Sequence, residues 1–127
     1  MEVKIEVKRD FVLTTLTGPV SLPEIRQAMR EGVDAAHESG LPRMVFDWSG
    51  VTGILTTGNR IELTEFGVAH TLGKAWKERP KVAVLGTFPM MNGFATAMAV
   101  NRGLAMKTFR EMNPALDWLG VPNSGRI

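Results

Sequence analysis

The stretch Val45–Thr57, VFDWSGVTGILTT, carries an apolar strand into a polar turn and on toward a long helix. Met44, Val45 and Phe46 form the short continuous apolar run of a strand covered on both faces, and Asp47 is expected to end it. Beyond the turn, the pattern predicts a helix from Asn59 to Arg79, ahead of Pro80, with Glu62 three residues after Asn59 as a capping pair. Its inner stripe is Ile61, Val68, Leu72, Ala75 and Trp76, and Gly67 and Gly73 predict a bend or break.

The same alternation of strand and helix extends in both directions. Upstream, Val3, Ile5 and Val7 alternate with Glu2, Lys4, Glu6 and Lys8, which is the period of a strand with one buried face. Arg9-Asp10 is the expected turn into a deeper strand, Phe11–Thr17. Ser21 and Glu24 read as a capping box with Val20 and Ile25 as its staple, opening a helix that buries Ile25, Ala28, Met29, Val33 and Ala36. Gly40 and Pro42 stop it; His37, in its last turn, reads as a solvated side chain favoured by the helix dipole.

Downstream, Lys81–Leu85 is a second buried strand, followed by the small-residue helix MNGFATAMAVNRG with Gly103 as its cap. Met106–Arg110 reads as an edge strand. Asn113 as N-cap, Pro114 and Gly120 frame a last helix that packs Leu116, Trp118 and Leu119 inward. The order is β-β-α-β-α-β-α-β-α. These connection lengths imply an α/β domain at 1–120, with a mixed, mostly parallel sheet of about five strands flanked by helices, and a mobile tail at 121–127.

With 127 residues, 44% of them hydrophobic, the chain is long enough for one buried core and too short for two ordinary domains. Lys and Arg number 15 against 13 Asp and Glu and are scattered, so no phosphate-binding stripe points to nucleic acid. The absence of cysteine excludes disulfides, thiolate metal sites and cysteine nucleophiles, and fits a reducing cytoplasm. No segment approaches the roughly 18 apolar residues of a membrane span.

Motifs for chemistry are sparse. His37 and His70 lie on different helices without a carboxylate at the spacing of a ligand face, so no metal is expected, and no cofactor either. There is no G-x-S-x-G elbow, no G-x-G-x-x-G and no Walker A sequence. Asp47 with Glu62 or Glu65 is the only acid/base pairing in view, and an Asx turn around Ser49 and Gly50 explains Asp47 more simply.

The segment Asp47–Gly58 resembles the signature of STAS domains, the family of bacterial anti-sigma-factor antagonists, which carries D-L-S-x-V-x-x-[ILMV]-D-S-S-G at a strand-to-helix junction. Asp47, Ser49, Val51, Ile54 and Gly58 match; Leu55 stands at the second aspartate, and Thr56 and Thr57 stand at the two serines. The hydroxyl before the glycine is the family's phosphorylation site, a role the resemblance places on Thr57. The ending KTFREMNPALDWLG is similar to that of the SpoIIAA-like, or STAS/SEC14, group of small bacterial proteins through Phe109, Ala115, Trp118 and Leu119.

The leading expectation is therefore a non-enzymatic, cytoplasmic regulatory or protein-interaction domain whose phosphoswitch is degenerate at Leu55. The alternative is a module for a small apolar or lipid-like ligand, motivated by Met90, Met91, Phe94 and Met98 beside GVTGIL. The surface for either comprises Asp47, Ser49, Gly53, Ile54, Leu55, Thr56, Thr57, Met91 and Phe94. Gly53–Leu55 is expected to be exposed, to be covered by a protein partner, a ligand or a second copy in a homodimer. An enzyme built on Asp47 ranks last.

Overall fold

A computed structural model describes residues 1–86 and 93–126. β1 (Glu2–Val7) and β2 (Val12–Pro19) form an antiparallel hairpin. There follow α1 (Leu22–Glu38), β3 (Arg43–Thr52), α2 (Thr57–Leu72), β4 (Lys81–Leu85), α3 (Gly93–Asn101), β5 (Ala105–Phe109) and α4 (Met112–Leu119). The five strands lie side by side in chain order, and every pair after the hairpin is parallel. This is the expected α/β architecture.

Strand alternation divides the interior in two. Val12, Leu16, Met44, Phe46, Trp48, Val82 and Val84 face α1 and α2, whereas Val45, Ala83 and Leu85 face α4 with Phe11, Leu116 and Leu119. Two cations fix α4 in place. Arg43 Nε donates to the Leu119 carbonyl at 2.8 Å and Lys81 Nζ to that of Trp118 at 3.0 Å, satisfying oxygens that the helix end leaves without intrahelical partners. Lys81 Nζ also lies 4.7 Å from the Trp118 ring centroid. Beyond Gly120, Val121 is buried in this second cluster, and Arg126 pairs with Asp117.

α1 lies close to the sheet because Gly32 allows it: a Cβ there would stand 2.4 Å from Thr14 Oγ1 and 2.9 Å from Phe46 Cε1. Ser21 is its N-cap residue but its side chain makes no capping hydrogen bond, so the expected capping box does not form. The Glu24 carboxylate instead lies 3.2 Å from the Met1 nitrogen. The outer strand is less covered than its alternation implies, with Val7 56% exposed.

Three further elements differ from the sequence reading. β3 does not stop at Asp47 but runs on to Thr52. α2 begins at Thr57 rather than Asn59, ends at Leu72, and buries Leu63, Val68 and Thr71. It continues through Gly67, while Leu72 is exposed and Trp76 lies beyond the helix end, where Nε1 donates to the Thr71 carbonyl at 2.8 Å. α4 is capped at Glu111, placing Pro114 within the first turn.

Candidate functional site

The junction after β3 is built on a bulge. Thr15 pairs with Asp47 but Thr17 pairs with Gly50, so one residue of β2 opposes two of β3. The ladder disruption falls at Ser49, and Asp47 answers it: Oδ1 accepts from the Ser49 amide at 2.9 Å and from its hydroxyl at 2.6 Å. The local Asp47–Ser49 hydrogen bond expected of an Asx turn is therefore present inside a strand rather than at its end. Gly50 fits opposite Thr17 because it has no Cβ, which would stand 2.7 Å from Thr17 Cγ2.

Gly53, at φ +102°, reverses the chain after Thr52, while Val20 N donates to the Thr52 carbonyl at 2.9 Å and ties the start of α1 to this turn. Ile54 is then left 83% exposed, whereas the next residue, Leu55, turns inward and is only 5% exposed. The expectation that Gly53–Leu55 forms one exposed segment is thus corrected at Leu55. Thr56 caps α2 through a reciprocal box: Asn59 N donates to Thr56 Oγ1 at 3.0 Å, and Thr56 N donates to Asn59 Oδ1 at 3.3 Å. Thr57, the first helical residue, and Gly58 are exposed, and the first turn of α2 contains no acidic side chain.

The candidate acid/base pairing does not assemble. Alternation puts Asp47 on the α4 side of β3 with Val45, whereas α2 packs on the Phe46 and Trp48 side. Glu62 pairs with Arg26 and Glu65 with Arg102. A different cluster, missed in the sequence, joins α1 to the end of α2: Asp34 Oδ1 lies 2.7 Å from His70 Nε2 and 2.8 Å from Lys74 Nζ. Partial burial would raise the Asp34 carboxyl, but hydrogen bonds and charge from Lys74 and His70 hold it below its ordinary value. His37 is exposed, as expected, with Nε2 2.8 Å from the Ala75 carbonyl.

Of the other expected surface residues, Met91 lies outside the described residues, and Phe94 is placed by its backbone in α3. Among the described residues no cluster of three or more His, Asp or Glu gathers as a metal site, and no helix is long and apolar enough to cross a membrane.

The sequence did not reveal a cavity of about 100 Å³ beneath α2, bounded by α1 and the central strands. Its wall is apolar, from Phe46, Trp48, Leu55, Leu63, Val68 and Val84, with Arg60, Thr64 and Thr71 as polar members.

No family model matches the chain, and no curated protein matches it. Solved structures do. An anti-sigma factor antagonist from Mycobacterium paratuberculosis superposes with a TM-score of 0.61 at 17% identity, covering 94% of this chain and 93% of that one. The Bacillus cell fate determinant SpoIIAA in its phosphorylated form gives 0.54 at 17%, covering 93% and 99%. An uncharacterised protein with a SpoIIAA-like fold from Shewanella loihica gives 0.56 at 24%, covering 93% and 92%. The chain therefore has the SpoIIAA-like, or STAS, fold over nearly its whole length.

Proposed function

We propose that the chain is a regulatory protein-interaction domain that docks a protein partner through the turn between β3 and α2. The observation that carries this reading is Ile54, an apolar side chain 83% exposed, three residues before the exposed Thr57 that opens α2. The likeness to anti-sigma factor antagonists, one of them a phosphorylated form, supports a partner-switching role.

A phosphate on Thr57 would add about −1.5 to −2 charges at the positive end of α2, where no first-turn carboxylate opposes it. The fold would tolerate the modification while the docking surface changed sign. Leu55, at the place of the family's second aspartate, faces the core, so here the switch would operate without an acid beside it. Affinity capture from host lysate with the wild type and Thr57→Glu tests the reading. Capture by the wild type and at least tenfold weaker capture by the variant is expected; equal capture refutes it.

A second reading, a module for a small apolar or lipid-like ligand, is supported by one observation, the cavity beneath α2. Native mass spectrometry of freshly purified protein tests it through any retained mass.

A further inference from the structure

We infer that the cavity beneath α2 is a site for one compact apolar molecule of about the size of a single aromatic ring, and that its occupancy is sensed at the docking turn. The inference rests on the ligand-module reading and adds the ligand's class and its consequence.

Size sets the class. Native interiors hold few voids larger than a water, yet this one measures about 100 Å³. An apolar cavity of about 150 Å³ takes up benzene, so a space of this order accommodates about one ring. Its wall is mostly apolar: Phe46, Leu63, Val68 and Val84 carry no hydrogen-bonding group, the Trp48 indole N–H and Arg60 are its polar points, and the Thr64 hydroxyl is engaged with the Arg60 carbonyl at 2.7 Å. Thr71 is already engaged, its hydroxyl donating to the Gly67 carbonyl at 2.7 Å.

Leu55 provides the link to the surface. Its side chain is part of the wall, its predecessor Ile54 is the exposed apolar residue of the docking turn, and its successor Thr56 is the N-cap of α2. An occupant pressing on Leu55 therefore acts on the two residues that set the shape of that turn, with only backbone bonds between.

The test uses the full chain labelled with 5-fluorotryptophan and ¹⁵N, titrated with benzene, with Val68→Phe as a variant that fills the space. Of the three tryptophans only Trp48 lines the cavity; Trp118, a residue of α4 packed on the opposite face of the sheet, serves as the internal reference, and Trp76, beyond the end of α2, gives the third signal. The expected result is a saturable shift of the Trp48 fluorine signal and of the Ile54, Thr56 and Asn59 amides with a common midpoint, all lost in Val68→Phe. Should that variant fail to fold, Val84→Leu, which intrudes less, is expected to weaken binding at least threefold. A Trp48 signal that does not move in the folded wild type overturns the site, and moving Trp48 with static amides overturns the coupling. A long-chain lipid retained in native mass spectra overturns the ring-sized class while leaving the ligand-module reading intact; no retained mass together with no benzene shift overturns both.

Discussion

Replacing either of two helical glycines by alanine makes the same chemical change in opposite surroundings. At Gly32, the new Cβ would stand 2.4 Å from Thr14 Oγ1, 2.9 Å from Phe46 Cε1 and 3.0 Å from Phe46 Cζ. Thr14 and Phe46 are both buried, so relief requires α1 to move off the sheet. Overpacking of this kind costs roughly 1–3 kcal/mol, and the close approach to two side chains places Gly32→Ala near the upper figure. The helix-propensity gain of alanine over glycine returns about 1 kcal/mol, leaving a net loss of about 2 kcal/mol. At Gly67, a Cβ would meet only Met29 Cε, at 2.5 Å. That methyl ends a flexible side chain lining the cavity, so Gly67→Ala is expected to gain up to about 1 kcal/mol. Urea denaturation reads both. With a slope of about 2 kcal/mol per M, the midpoint falls by about 1 M for Gly32→Ala and rises by up to about 0.5 M for Gly67→Ala. A midpoint for Gly32→Ala at or above the wild-type value would refute the close approach of α1.

Capping and charge give two further tests. Thr56→Ala is expected to cost about 1 kcal/mol and to raise hydrogen exchange in the first turn of α2, whereas Ser21→Ala, whose side chain makes no cap bond, is expected to stay within about 0.5 kcal/mol of the wild type in thermal melts. Because the Asp34 carboxyl is lowered in the folded chain, its contribution is full above the ordinary value of 3.8 and disappears as pH falls through the lowered one. The stability difference between the wild type and Asp34→Asn, measured by urea titration at several pH values, should thus be present at neutral pH and vanish below that window. A difference that grows on acidification would contradict the assignment.

How much of this was legible in the sequence follows from the range of each signal. β1, β4 and the body of α1 are written in local periodicity, and the structure keeps them close to their expected bounds. The composition of Ser49-Gly50 reads as a turn, whereas the continuation of β3 depends on pairing with β2 and on Asp47 accepting from the Ser49 amide, and the pairing is not local. Ser21 and Glu24 illustrate the opposite case: the spacing of a capping box is present, yet Ser21 makes no capping hydrogen bond and Glu24 lies 3.2 Å from the Met1 nitrogen.

Polar and glycine-rich composition located the junction, but adjacent Ile54 and Leu55 point to solvent and to core respectively, a division created by the reversal at Gly53. Leu55 then explains its own departure from the STAS signature, since a carboxylate at a position 5% exposed would be buried against an apolar wall. The cavity and the Asp34–His70–Lys74 cluster arise from packing between helices and have no signal within either one.

The claim that the β3–α2 turn is a docking surface is tested most directly by Ile54→Asp. Ile54 is 83% exposed, so the substitution should leave the urea midpoint within about 0.3 M of the wild type. Quantitative capture of the partner retained by the wild type should fall at least tenfold, the loss expected when an apolar anchor is replaced by a desolvated charge. Undiminished capture by a fully folded Ile54→Asp protein would contradict the account.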